Sequence, residues 1–273
     1  MRLLFLGDIV GRDARDELMA RLPELRTRYK LDAVIVNGEN AAHGFGITAQ
    51  ICTDLYKVGV DCITTGNHVW DQREIISYIS GDPKLLRPVN FPESTPGRGT
   101  YIIETAHGHK ILVVNVMGRL FMDALDDPFA AVDKICNTYR MGAQVNAIVI
   151  DMHAEANSEK MAMAQYCDGR ASFVVGTHTH IPTADAQILP KGTGYQTDAG
   201  MCGNYDSVIG MDAPTAIHRF TRKMPGERLR PAEGGPVTLC GTMVDIEPST
   251  GLCKAIQAFR LGGRLSQALP AET

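Results

Sequence analysis

Short apolar runs punctuate the first two-thirds of the chain: LLFL at 3–6, AVIV at 33–36, CITT at 62–65, ILVVNVM at 111–117, AIVI at 147–150 and FVV at 173–175. Runs of this length without polar alternation are the pattern of strands buried on both faces of a parallel sheet. Between them, apolar positions recur with helical spacing. From Asp13 to Tyr29, residues Leu18, Leu22 and Leu25 share one side; Thr48 is placed to cap a helix running through Val58; 127–141 and 156–167 also read as helical. Met161 and Met163, in the last of these, read as helix packing. The alternation predicts parallel strands joined by helical crossovers.

The last third changes character. From Ala184 onward Gly and Pro are frequent, and VTLCGTMVDI (237–246) and KAIQAFRL (254–261), separated by the turn-like EPSTG, predict an antiparallel hairpin. Residues 94–100 and 224–236 read as loops, and neither marks a boundary. With no internal repeat or low-complexity tract, residues 1–273 read as a single domain.

Composition narrows the class. A chain of 273 residues with 44% hydrophobic content can build one large α/β core. The 27 Lys and Arg against 31 Asp and Glu, a net charge of −4 without long runs of one sign, argue against extended nucleic-acid binding. Seven scattered cysteines with no C-x-x-C argue against a disulfide framework and a thiolate zinc site. The N-terminal MRLLFLGDIVGRD is apolar too briefly for a signal peptide, and no run approaches membrane-spanning length, so the expectation is a soluble cytoplasmic protein with no membrane partner.

The polar residues at the ends of the apolar runs change the picture most. LLFL leads to Gly7-Asp8, AVIVN to Gly38-Glu39-Asn40, CITT to Gly66-Asn67-His68, AIVIDM to His153, and FVVGT to His178 and His180. In open α/β sheets the crevice outside the carboxyl ends of the strands is the general ligand site, so these groups are expected to converge. A lone His-x-His pair reads as a polar loop. At the end of an extended strand, however, His178 and His180 would point the same way and present two imidazoles to one small object, a metal ion being the natural candidate. Carboxylate, amide oxygen and imidazole without thiolate suit Mn²⁺, Fe or Zn²⁺, and a bridging carboxylate would let the set hold two adjacent ions.

These motifs resemble the calcineurin-like metallophosphoesterases, in which D-x-H, G-D-x-x-D, G-N-H-[DE], a lone His and G-H-x-H recur. Here they stand as Gly7-Asp8-Ile9-Val10, Gly38-Glu39-Asn40, Gly66-Asn67-His68, His153 and Gly176-Thr177-His178-Thr179-His180. Val10 replaces the usual His, and Glu39-Asn40 replaces the usual bridging Asp block. Together with GDIVGR, NGENAAHGFGIT, TTGNHVWD, NVMGR and DMHAEANSEK, the pattern is similar to the YmdB-type branch of bacterial phosphodiesterases. The resemblance implies a four-layer αββα sandwich of two sheets with helices outside. It implies Asp8, Glu39, Asn40 and His180 around one metal, Glu39, Asn67, His153 and His178 around a second, and Glu39 as the bridge. His68 becomes the proton donor to the leaving group. Two divalent or mixed-valence ions per chain, iron or manganese, are implied as cofactors.

The expected activity is hydrolysis of a small phosphodiester, a 2′,3′- or 3′,5′-cyclic nucleotide by analogy, through hydroxide held between the two ions and His68 as general acid. A regulatory nucleotide- or metal-binding protein with little turnover, or a metallohydrolase of another ester class, are the alternatives, and a homo-oligomer is left open. Arg119 reads either as a phosphate clamp or as a salt-bridged surface residue. His43 and Phe45 read as a loop His and a packed Phe, or as flanking the mouth with the Phe45 ring on a base. His107, His109 and His218 have no strand-end setting and read as surface residues.

Overall fold

The computed structural model describes residues 1–224 and 226–271; residue 225, inside the loop expected over 224–236, and the last two residues of the domain read over 1–273 lie outside the described residues. The elements of the first half are β1 (Arg2–Leu6), α1 (Gly11–Arg28), β2 (Ala33–Asn37), α2 (Ala49–Lys57), β3 (Cys62–Thr64), α3 (Ile75–Tyr78), β4 (Thr100–Glu104), β5 (Lys110–Met117) and α4 (Pro128–Thr138). They are followed by β6 (Ala147–His153), α5 (Asn157–Tyr166), β7 (Phe173–Thr177), β8 (Gln187–Ile188), β9 (Gly194–Gln196), β10 (Gly203–Asn204), α6 (Ala213–Arg222), β11 (Val237–Ile246) and β12 (Cys253–Leu261).

The strands form two mixed sheets. The first runs β10-β11-β1-β2-β3 with β12 paired to β11; the second runs β4-β5-β6-β7-β9-β8. Within them β1, β2 and β3 are mutually parallel, as are β5, β6, β7 and β9, and all of these except the short β9 carry the continuous apolar runs. The expected hairpin is β11 with β12, antiparallel from Leu239 opposite Leu261 to Ile246 opposite Cys253, and β11 closes against β1.

Side-chain alternation along the buried strands builds the layers. Leu3, Phe5, Ile35, Val113, Val149, Phe173 and Val175 meet between the sheets, where the Phe5 and Phe173 rings pack edge to face at 6.5 Å. The neighbours Leu4, Leu6, Val34 and Val36 face outward onto Leu18, Leu22 and Leu25 of α1 and Leu55 of α2. On the far side Leu112, Val114, Ile148 and Ile150 pack with Val132 of α4 and Met163 of α5. The result is the four-layer αββα sandwich. All seven cysteines are free and buried, and no described helix is long and apolar enough to cross a membrane.

Some elements depart from the sequence expectation. The loop read over 94–100 runs into β4, an antiparallel edge strand on β5. Helix α6, started by an Asp212 side chain that accepts from the Thr215 N–H, does carry an apolar stripe through Ala216, Ile217 and Phe220, but of these only Ala216 is buried, while Ile217 and Phe220 stand exposed. Met161 and Met163 do not both pack. Two helical positions apart, they fall on opposite faces; Met163 is buried whereas Met161 is 46% exposed.

Candidate metal centre

The carboxyl ends of β1, β2 and β3 meet those of β6 and β7 where the two sheets abut. A buried polar brace joins them. The Asn37 amide donates to Asp151 Oδ2 at 3.1 Å, Thr177 Oγ1 donates to Asp151 Oδ1 at 2.7 Å, and Thr64 Oγ1 donates to the same carboxylate. Burial pushes the Asp151 carboxyl up to about 6, against the pull of His153 and of the two hydroxyl donors. Asn37 Oδ1 in turn accepts the Glu39 N–H at 3.1 Å, which fixes where the chain leaves β2.

Beyond the brace, four of the expected groups converge. The His153 Nε2 atom lies 3.1 Å from Glu39 Oε1, 3.0 Å from Asn67 Oδ1 and 3.2 Å from His178 Nδ1. The other nitrogens of these rings are occupied. His153 Nδ1 donates to Thr177 Oγ1 at 2.8 Å, because the Thr177 hydrogen is committed to Asp151, and His178 Nε2 faces Glu155 Oε2 at 3.2 Å. Those partners select the tautomers that turn His153 Nε2 and His178 Nδ1 inward as acceptors. Two oxygens and two ring nitrogens then aim lone pairs at one spot, and a single proton can serve only one of those contacts. A cation serves them all. The ligand atoms of Glu39, His153 and His178 lie within 4.8 Å of one another, a cluster that could hold a metal ion.

Asp8, Asn40 and His180 form an adjoining group. His180 Nδ1 donates to the Ile209 carbonyl at 2.8 Å, leaving Nε2 directed at Asn40 Oδ1, 3.2 Å away, and at Asp8 Oδ1, 3.8 Å away. The Asn40 Nδ2 is engaged by the Gly44 carbonyl at 3.1 Å, so its oxygen faces inward. Asp8 is fully buried, its Oδ2 accepts the His178 N–H at 3.3 Å, and its Oδ1 has no hydrogen-bond partner. A buried carboxylate oxygen without a donor is costly unless a cation answers it.

The His-x-His pair is not extended, which corrects the expectation that both rings address one object. Strand β7 stops at Thr177, and His178 (φ 95°) and His180 (φ 68°) are both left-handed, which sends one ring to each group. That conformation costs roughly 1–2 kcal/mol per residue and has to be held. Asp198 holds it. Its Oδ2 accepts from Thr179 N and Oγ1 at 3.2 and 2.7 Å and pairs at 2.7 Å with the Lys160 ammonium, both charges being fully buried. Gly66 is needed for a different reason: a Cβ there would collide with His153 Nε2 and Glu39 Oε2.

The electrostatics match a cation-binding set. Burial alone would raise the Glu39 carboxyl, but His153, by charge and hydrogen bond, and His68 hold it down at about 2. Burial disfavours charge on His153, yet Glu39 foremost, then Asp8 and Asp151, raise it to about 9: the carboxylates draw positive charge to the Nε2 position, as a proton there or as a cation that leaves Nε2 an acceptor. Burial and the nearby His153 push His178 down to about 3, and burial raises Asp8.

His68 stands at the edge of this set. Its backbone N–H donates to Glu39 Oε2 at 3.1 Å, its Nδ1 lies 2.8 Å from Asp71 Oδ2, and the side chain is 28% exposed. Phe45 packs against the His68 imidazole, edge on, with centroids 5.1 Å apart. His43 is exposed and lines a cleft of about 450 Å³ with Phe45 and Asp71. Arg119 pairs with Asp127 at 3.2 Å on the surface, the second of the two readings its sequence context allowed. His107 and His218 are exposed and His109 is half-buried. Of the groups that set the imidazole tautomers, Thr177, Asp151 and Glu155 lie inside the GTHTH and DMHAE strings, where nothing singles them out, and the Ile209 carbonyl lies in none of the motifs.

A family model described as YmdB-like protein matches residues 4–259. The chain is 49% identical over 262 residues, 96% of each protein, to the 2′,3′-cyclic-nucleotide 2′-phosphodiesterase of Bacillus subtilis (strain 168). Among solved structures, a hypothetical protein of Thermus thermophilus superposes with a TM-score of 0.89 at 42% identity, covering 97% of this chain and 100% of that one. A novel phosphatase from Mycoplasma pneumoniae superposes with a TM-score of 0.88 at 31% identity, covering 96% and 93%.

Proposed function

The chain belongs to the YmdB-like protein family, and from that premise we propose that it is a metal-dependent phosphodiesterase acting on small phosphodiesters, nucleoside 2′,3′-cyclic phosphates first among them. It is a hydrolase of phosphoric ester bonds. The observation that carries the reading is the inward turn of all three expected imidazole ligands: His153 Nε2, His178 Nδ1 and His180 Nε2 are left as acceptors by partners fixed on the outer sides of the rings. Glu39, Asn67, His153 and His178 would hold one ion, and Asp8, Asn40 and His180 a second, with Glu39 shared between them. Two such cations supply Lewis acidity, lowering the pKa of solvent and drawing charge off the phosphoryl oxygens.

The chain's own groups do the rest. The Thr177, Glu155 and Ile209 acceptors keep the imidazoles in one tautomer, so the donor set needs no reorganisation when substrate arrives. Asp71 takes the Nδ1 hydrogen of His68 and turns Nε2 away from itself, while the Phe45 ring edge limits the swing of the imidazole. In its protonated form His68 delivers the Nε2 proton to the departing alkoxide, the step that an alkyl ester needs most.

Removing metal with a chelator is expected to abolish hydrolysis of a nucleoside 2′,3′-cyclic monophosphate. Mn²⁺ or Fe²⁺ is expected to restore it better than Mg²⁺, because three imidazoles suit borderline ions and Mg²⁺ prefers oxygen. Undiminished turnover in a rigorously stripped sample would refute the proposal.

A further inference from the structure

Strand β5 ends at Met117, and the loop after it passes over the site. Its base is anchored: Gly118 N donates to the His153 carbonyl at 2.9 Å, and the Arg119 and Leu120 N–H groups donate to the buried Glu159 carboxylate at 2.9 and 3.3 Å. Its far end is anchored by Asp126 N on the Asn90 carbonyl at 3.1 Å. Between these anchors Phe121 is 91% exposed, the most exposed of the large apolar side chains, and its backbone is left-handed at φ 61°. A bulky aromatic in that conformation is uncommon, and a ring left in water adds nothing to the core.

Phe121 nevertheless has a definite place. With Met122 and Asp123 it lines a cleft of about 380 Å³ whose remaining walls are Asn67 and His178, two residues of the donor set. One cleft therefore joins two of the groups proposed to hold an ion to a free aromatic face. Phe45, another aromatic near the site, is already engaged with His68, and Tyr205 is half-buried with its hydroxyl on the His180 carbonyl.

We infer that Phe121 is the stacking platform for the nucleobase of a nucleoside phosphodiester, with Met122 beside it and the phosphate directed toward the ion that Asn67 and His178 would help to hold. The inference rests on the phosphodiesterase reading and deepens it from small diesters in general to nucleosides. Stacking accepts any base because every base has a π face, so the platform favours nucleosides over baseless esters and is tolerant among bases.

The test uses the full chain supplied with Mn²⁺. Adenosine and uridine 2′,3′-cyclic phosphates are compared with methyl riboside 2′,3′-cyclic phosphate, which keeps the reacting ring and lacks the base. Phe121→Ala is expected to raise KM for both nucleotides by about 5- to 150-fold with little change in kcat, and to leave the methyl riboside unaffected. Phe121→Trp is expected to restore nucleotide KM. Since the ring is exposed, neither variant threatens folding. An equal loss on all three esters, or no loss on any, overturns the platform. Equilibrium binding of the two nucleotides is titrated in parallel. A chain that binds them in a Phe121-dependent way without turnover keeps the platform and refutes the enzyme reading; undiminished nucleotide turnover and binding in Phe121→Ala does the reverse.

Discussion

Replacing His68 by alanine is expected to leave metal content unchanged and to lower kcat on an alkyl phosphodiester by roughly 10²–10⁴, about 3–5 kcal/mol, the usual scale for loss of a general acid. The geometry separates this role from that of a ligand. The His68 imidazole is held at Nδ1 by Asp71 and by the Phe45 edge, whereas only its backbone N–H reaches Glu39. A diester with a nitrophenol leaving group needs little protonation, so the same variant is expected to lose far less on it. If His68 were a ligand, metal content would fall and both substrates would suffer alike. Measuring metal and both rates on one preparation distinguishes the two roles.

Replacing Glu39 by alanine is expected to be the most damaging change for metal content, and worse than Asn67→Ala. Glu39 is buried, its two oxygens face different partners, and it is the one carboxylate among the atoms that surround His153 Nε2. Removing it takes away a full negative charge from the centre of the set, while Asn67 contributes a single neutral amide oxygen. Activity is expected to fall below detection in Glu39→Ala and to persist at high Mn²⁺ in Asn67→Ala. Equal metal affinity in the two variants would show that Glu39 bridges nothing.

The parallel strands were legible because burial on both faces forces continuous apolar runs, and LLFL, AVIV and AIVI each became a strand at its expected place. Their carboxyl ends were legible for the same reason, since Asp8, Glu39 and His153 each come after a run that could be read. The division of His178 and His180 between two groups was not. It depends on left-handed backbone at both residues, imposed from a distance by Asp198 and Lys160, and nothing in the local string GTHTH encodes that turn. Helix α6 was not legible, although Ala216, Ile217 and Phe220 recur at helical spacing, because it lies in the Gly- and Pro-rich last third that reads as loops and a hairpin. Phe121 could not be singled out as a ring at the site because exposure and the cleft it shares with Asn67 and His178 are properties of the packed chain. The sequence instead offered Phe45, whose ring the fold uses to hold His68.

The central claim is that the abutting strand ends hold two cations through a shared Glu39. Elemental analysis of the full chain as purified, normalised to protein concentration, tests it most directly. About two equivalents of iron or manganese per chain are expected, falling together in Glu39→Ala. One equivalent that survives in Glu39→Ala, or none in the wild-type chain even after incubation with Mn²⁺ and Fe²⁺, would contradict it.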